Sequence, residues 1–210
     1  MLLAEELALV AVKPDSGRHE LGTGDQLNAC LAGLLVAELV LDGNVGAGNR
    51  LVVTGEPPAS RTLAAATHVV AEKGPKIKAV LSHMSRGLQQ QVGLSTWDTA
   101  VAGLEAAGIV GPPNGTLRSK RALLDVPARD AIVNRLRATA ADDGPIDLRT
   151  ALLLSMAGPG QLLEVVAPSH VGRRHARHRI DHALEGTGLE PITEVVRQLI
   201  AEAAAAASGF

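Results

Sequence analysis

The chain has 210 residues, 46% of them apolar, and a formal net charge of −2. That length suits one domain, or two small ones, with apolar content for a sizeable core, and the balanced charge excludes a global basic field that would recruit nucleic acid or membrane. Trp97 and Phe210 are the only aromatics, so the core must be aliphatic, and ligands that stack on aromatic rings are disfavoured. Cys30, the single cysteine, has no partner within the chain for a disulfide and reads as a small core residue. The N-terminus MLLAEELALV is acidic where a signal peptide would be basic. Together these features predict a cytosolic protein. The excess of Arg over Lys, with abundant Ala, Gly and Val, is the residue usage of a high-GC bacterial genome.

In chain order, Leu2 to Val12 predicts a short amphipathic helix or helix-to-strand element, ended by Pro14 and the turn Asp15-Ser16-Gly17. Arg18 to Gly24 reads as a loop. Leu27 to Leu41, LNACLAGLLVAELVL, follows, with Asn28 and Glu38 as its only strongly polar residues. Its apolar positions fall on every side of a 3.6-residue helix, the pattern of a helix buried all round. Asp25 is its expected N-cap and Gly43 its left-handed C-terminal residue. Its 15 residues are read as too short to span a bilayer. Val45, a Gly-rich turn and Leu51-Val52-Val53 predict a β-hairpin, ended by Pro57-Pro58.

Ser60 to Ala71 predicts a helix broken by Gly74-Pro75, and Ile77 to Met84 resumes one. Ser95-Thr96-Trp97-Asp98 resembles a capping box opening a helix from Thr96 to Ala107. Gly108 ends it, and Ile109-Val110 lead through Pro112-Pro113-Asn114-Gly115 to a strand from Leu117 to Leu124. Helix, glycine stop, hairpin and proline thus occur twice, with spacing too loose for a true repeat. Helices follow at Ala128 to Ala140, with Ile132, Val133 and Leu136 facing in, and at Leu148 to Ala157, capped by Asp147. Leu162 to Ala167, the basic stretch Gly172 to Glu185 and Pro191 to Ala207 complete the chain, with 201–210 as a frayed tail.

The basic stretch crowds His170, Arg173, Arg174, His175, Arg177, His178, Arg179 and His182 into thirteen residues. On a helix Arg173 and Arg177 share a face, and Arg174 lies beside His178. Such a face attracts anionic lipid headgroups, each basic residue contributing about 1 kcal/mol at an anionic surface, more so once the histidines protonate. The plainer alternative is a solvated helix face, partly neutralised by Asp181 and Glu185. His178 and His182, with His175 a turn back, have the spacing to share a divalent ion, but neighbouring arginines repel a cation and no Cys or Glu cluster completes the shell. No metal or cofactor is therefore expected.

Enzyme motifs are absent. There is no GxxxxGK[ST] loop, Gly43, Gly46 and Gly48 do not form GxGxxG, no serine sits in GxSxG, and Cys30 in a buried helix is a poor nucleophile. The chain is expected not to be an enzyme.

Leu3-Ala4-Glu5-Glu6-Leu7 resembles the opening of the Golgi phosphoprotein 3 family. So does Gly33-Leu34-Leu35-Val36-Ala37-Glu38-Leu39-Val40-Leu41-Asp42-Gly43-Asn44-Val45. Gly108-Ile109-Val110, Leu124-Asp125-Val126-Pro127 and Asp147-Leu148-Arg149-Thr150-Ala151-Leu152-Leu153 follow in family order. The resemblance implies a mainly α fold, a single globular helical domain over residues 1–210 around a buried central helix, with one or two β-hairpins. It also implies binding of phosphatidylinositol-4-phosphate, and of the cytoplasmic tails of glycosyltransferases, as eukaryotic members do on the cytosolic Golgi face. In the family's lipid pocket a tryptophan precedes the central helix and an arginine lies early in it. Counting back from Glu38, Thr23 and Ala32 stand there. Two further family arginines fall on Leu94 and Trp97, counting back from Gly108, or an insertion brings Arg86 to that region. Thr, Ala and Leu lack the charge-assisted hydrogen bonds a phosphate monoester needs.

The expectation is a non-enzymatic peripheral-membrane or adaptor protein with weak affinity for anionic phospholipid headgroups and for protein tails. Its candidate anion-binding residues are Arg173, Arg174, Arg177, Arg18, Arg86 and Trp97. Each of the last three has a plain alternative: a solvated loop residue, a helix C-terminal charge and packing at a helix start. The hairpin at 109–125 is a candidate oligomerisation element. The competing reading is a winged-helix-like nucleic-acid-binding protein, with Thr96 to Ala107 as recognition helix and Arg118, Lys120 and Arg121 on the wing. That helix carries no Lys or Arg, which argues against groove reading, and no nucleic-acid partner is expected.

Overall fold

Helix α2 (Gly24–Leu41) bears apolar side chains on every face, and from Leu27 to Leu39 every residue but Asn28 is buried. In the computed structural model, which describes residues 1–14, 24–88, 92–113, 121–167 and 170–208, six helices cover it. They are α1 (Leu3–Ala11), α3 (Arg61–Lys73), α4 (Ile77–Ser85), α5 (Thr96–Ala106), α7 (Leu148–Ala157) and α10 (Glu190–Ser208). Helix α6 (Val126–Ala141), the single turn α8 (Leu163–Val166) and α9 (His170–Leu184) form an outer layer against α7. The fold among the described residues is mainly α, as expected, with two small two-stranded antiparallel sheets.

Three expectations about the core helices are corrected. Helix α2 begins three residues before Leu27, so Asp25 lies inside its first turn rather than at the N-cap. There its carboxylate still faces the positive end of the helix dipole. With 18 residues, α2 is also long and apolar enough to cross a bilayer, contrary to the reading from length. Its faces are instead taken up by the surrounding helices. Helix α1, expected to be amphipathic, is buried over nearly its whole length, because α2, α5, α6 and α7 all pack on it.

The two helix–glycine–hairpin units share one local geometry. At the end of α2 the Asn44 amide donates to the Leu39 carbonyl at 2.9 Å and the Gly43 amide to that of Val40 at 3.1 Å. At the end of α5 the Ile109 amide donates to Leu104 at 2.9 Å and the Gly108 amide to Glu105 at 2.9 Å. Both are Schellman caps, and both need a left-handed residue, met by Gly43 at φ 74° and Gly108 at φ 72°. The first cap launches strands β1 (Val45–Gly46) and β2 (Val52–Val53), paired Val45 to Val53. The second launches β3 (Val110–Pro113) and β4 (Arg121–Leu123), paired Val110 to Leu123. Pro112 and Pro113, read as part of the connection, thus lie within β3. Residues 114–120 of that hairpin lie outside the described residues.

Helix starts follow side-chain chemistry. Ser60, Ser95, Asp125 and Asp147 each accept an amide from the first turn of α3, α5, α6 and α7. Asp125 starts α6 two residues earlier than expected, which places Pro127 in the first turn, where its missing N–H costs nothing. Leu, Val, Ala and Ile make up nearly all of one continuous hydrophobic cluster, and Trp97 packs against it half-buried. Helix α10 continues to Ser208, with residues 201–208 all exposed.

Candidate functional site: an arginine-rimmed cavity beside helix α9

Helix α9 is pinned by a stripe one residue wide. Ala176, Ile180 and Leu184, spaced four apart, are all buried, and α6 and α7 pack against the helix. Arg179 adds a polar anchor. Its Nη1 donates to the Thr139 carbonyl at 2.9 Å, and the guanidinium also reaches the carbonyls of Asp142 and Gly144. These groups close the C-terminal end of α6, where a cation is favoured. Arg179 is therefore structural, whereas Arg174 and Arg177 remain at the surface.

Beside the stripe lies a cavity of about 470 Å³, walled by α6, α7, α8, α9 and α10. Its inner wall is aliphatic: Ala140, Leu154, Leu163, Ala167, Ala176 and Ile180. Three of these are alanines, whose short side chains leave the space that larger residues would fill. Arg173, Arg174, Arg177 and Arg197 line the cavity as well, with Asp181 the only acidic residue there among the described residues. Arg173 is half-buried, and its Nε donates to the Ala167 carbonyl at 2.7 Å. Arg197, from α10, lies 3.5 Å from Asp181 and 3.4 Å from Glu194. Arg174 and Arg177 are exposed. A second, more open hollow of about 470 Å³ continues outward past Arg174, Arg177, His178 and His182 to Glu185 and Glu190. In it His182 Nδ1 stands 3.3 Å from a Glu185 oxygen.

The three arginines singled out on the basic stretch are thus brought to one cavity, against the expectation of a simple helix face. Arg197 was missed. It lies 20 residues further on, and only the turn through Gly186 and Gly188, both left-handed, folds α10 back so that Arg197 meets Asp181. No local pattern in the sequence signals that meeting.

The other candidates go elsewhere. Arg18 and Thr23 lie outside the described residues. Arg86 caps the C-terminal end of α4 and is exposed. With Asp25, Gln26 and Ala29 it lines a smaller cavity of about 270 Å³ at the start of α2. Trp97 sits in the first turn of α5, and its amide donates to the Asn28 side chain at 2.9 Å. Ala32 is wholly buried, so its position on α2 faces no ligand, and Leu94 is exposed but apolar. Arg121 of the wing reading is 8% exposed and spends its charge on Glu105, at 2.5 Å, and Asp98, at 3.9 Å. Arg118 and Lys120 lie outside the described residues. Burial pushes the Cys30 thiol up to about 12, which keeps it protonated and inert.

A helical protein wound around one buried helix, with two short hairpins and a basic cavity on its outer layer, is the class these features define. The chain belongs to the Golgi phosphoprotein 3 (GPP34) family, whose profile it matches over residues 3–203. No curated protein matches it.

Proposed function

We propose that this chain is a non-enzymatic peripheral-membrane protein that binds anionic phospholipid headgroups through the α9 face, from the cytoplasmic side. The observation that carries the reading is the gathering of Arg173, Arg174, Arg177 and Arg197 around one cavity in a chain of net charge −2. Family membership supports a lipid-binding or adaptor role. The place at the start of α2 where the resemblance puts a headgroup pocket has Arg86 beside Asp25, with Ala32 buried. Among the described residues, that set is too poor in cationic donors for tight, stereospecific capture of phosphatidylinositol-4-phosphate. Binding is therefore governed by total lipid charge rather than by headgroup identity. The burial and pairing of Arg121 weigh against the nucleic-acid alternative.

The test is vesicle co-sedimentation across a salt series. Exposed charges are screened beyond about 10 Å at 0.1 M salt, so binding to anionic vesicles falls steeply as salt rises. Replacing Arg173, Arg174 and Arg177 with Ala removes about 1 kcal/mol per residue, on the order of a 100-fold loss in partitioning. Equal sedimentation of the variant and the parent overturns the reading.

A further inference from the structure

The cavity beside α9 is more than a charged surface, because it has depth and an aliphatic wall behind the arginines. A flat headgroup site needs neither. We infer that the cavity takes a single-chain anionic amphiphile, with its head between the guanidinium groups of Arg174 and Arg177 and its hydrocarbon chain against Ala140, Leu154, Leu163, Ala176 and Ile180. This deepens the lipid-binding reading and rests on it for the arginine rim, though not for the chain.

Three observations carry it. The first is polarity. Four arginines stand against one aspartate around the cavity, and Asp181 already faces Arg197. Arg174 and Arg177 have no ion pair or hydrogen bond with any described residue, so their charge is available to a ligand's head. Cationic and zwitterionic heads gain little there. The second is the wall. Ala140, Leu154, Ala176 and Ile180 belong to the hydrophobic cluster of the protein, yet they also line a space open to solvent. Apolar side chains at such a boundary gain from a hydrocarbon that displaces water. The third is size. A methylene needs about the share of volume a water has in the liquid, ~30 Å³, so a cavity of about 470 Å³ accepts a chain of roughly ten to fifteen carbons and not the two chains of a diacyl lipid. A carboxylate head from a free fatty acid and a phosphate head from a lysophospholipid share the chemistry the rim recognises.

The experiment is calorimetric titration of the intact protein with n-alkyl phosphates and n-alkyl carboxylates of eight, ten and twelve carbons, each below its micelle concentration. Dodecyltrimethylammonium and inorganic phosphate serve as controls. The expected result is saturable 1:1 binding that strengthens by about fourfold per added methylene, with no binding of either control. Affinity for both the phosphate and the carboxylate series identifies a fatty-acid-type site, and affinity for the phosphate series alone a lysophospholipid-type site; either supports the inference. Arg174→Glu with Arg177→Glu should abolish binding of the anionic series. Ala176→Leu and, separately, Leu163→Phe should cap the chain-length gain, with thermal melting confirming that each variant is folded. Affinity independent of chain length, or equal affinity for the ammonium control, overturns the inference. Loss of vesicle association with retained amphiphile binding defeats the membrane reading alone. Arginine-dependent vesicle binding without any amphiphile binding defeats this one alone.

Discussion

Arg149 Nη1 on α7 meets the Glu38 carboxylate, buried in the last turn of α2, at 2.7 Å. The other Glu38 oxygen accepts the Leu3 amide at 2.8 Å, at the start of α1. Arg149 also reaches Glu6 of α1 at 3.5 Å, and Arg135 of α6 pairs with Glu6 as well. Four helices are thus tied through two buried carboxylates. Glu38 is only 4% exposed, so its charge is tolerable only because a cation and an amide satisfy it.

Arg149→Ala is therefore expected to destabilise the protein by about 2–3 kcal/mol, below the fully buried limit because the Arg149 side chain is partly exposed. Glu38→Leu combined with Arg149→Met removes both charges at once. It should cost less than the sum of the two single changes, with a coupling on the order of 1–3 kcal/mol. Urea unfolding of the four proteins gives that cycle. Strict additivity would show that the pair is incidental.

Gly33, mid-way along α2, sets how closely two helices approach. A Cβ there would lie 2.7 Å from Val196 Cγ2 on α10 and 3.2 Å from Met156 Cε on α7. Met156 can rotate away, whereas β-branched Val196 is wholly buried and stiff. Alanine brings a helix-propensity gain of about 1 kcal/mol, set against overpacking of about 1–3 kcal/mol. Gly33→Ala should be net destabilising by about 1 kcal/mol, and the same change in a Val196→Ala background should be neutral or stabilising. Thermal melting of the pair checks this, and a penalty that survives removal of the Val196 methyls would refute it.

Asp147 caps α7 by accepting the Thr150 amide at 3.0 Å. Partial burial pushes its carboxyl up, but hydrogen bonds from Thr150 and the charges and amides nearby outweigh this and hold it below the ordinary carboxylate range. A carboxyl depressed in the folded state contributes stability above its unfolded value, near pH 4, and loses it as pH falls through the folded value. Asp147→Ala should thus cost about 1 kcal/mol at neutral pH, and the gap from the parent should close on acidification below about pH 4. Denaturant melts at the two pH values decide it. A gap that persists in acid would mean the helix is held by packing alone.

Much of the fold was legible because it is written locally. The apolar pattern of Leu27 to Leu41 announces a helix buried all round, and Gly43 and Gly108 announce the caps that release the hairpins. Ser95 and Asp147 mark helix starts by spacing and side-chain chemistry alone. Local pattern misjudged α1, because its polar residues Glu5 and Glu6 suggest an exposed face. Glu6 is buried nonetheless, since Arg135 and Arg149 arrive from helices more than 120 residues away.

The site divides the same way. The crowding of Arg173, Arg174 and Arg177 is visible in the sequence, since charge spacing on a helix is a short-range property. That they border a cavity is not, because the cavity is defined by what surrounds it. Its walls come from five helices, its room from alanines at positions 140, 167 and 176, and its fourth arginine from α10. None of these has a sequence neighbour that reports the others. The sequence by itself determined the buried helix, the caps and the basic stretch. Only the tertiary packing decided that the stretch would open onto apolar space rather than water, because depth in a protein surface depends on how helices distant in sequence fit together.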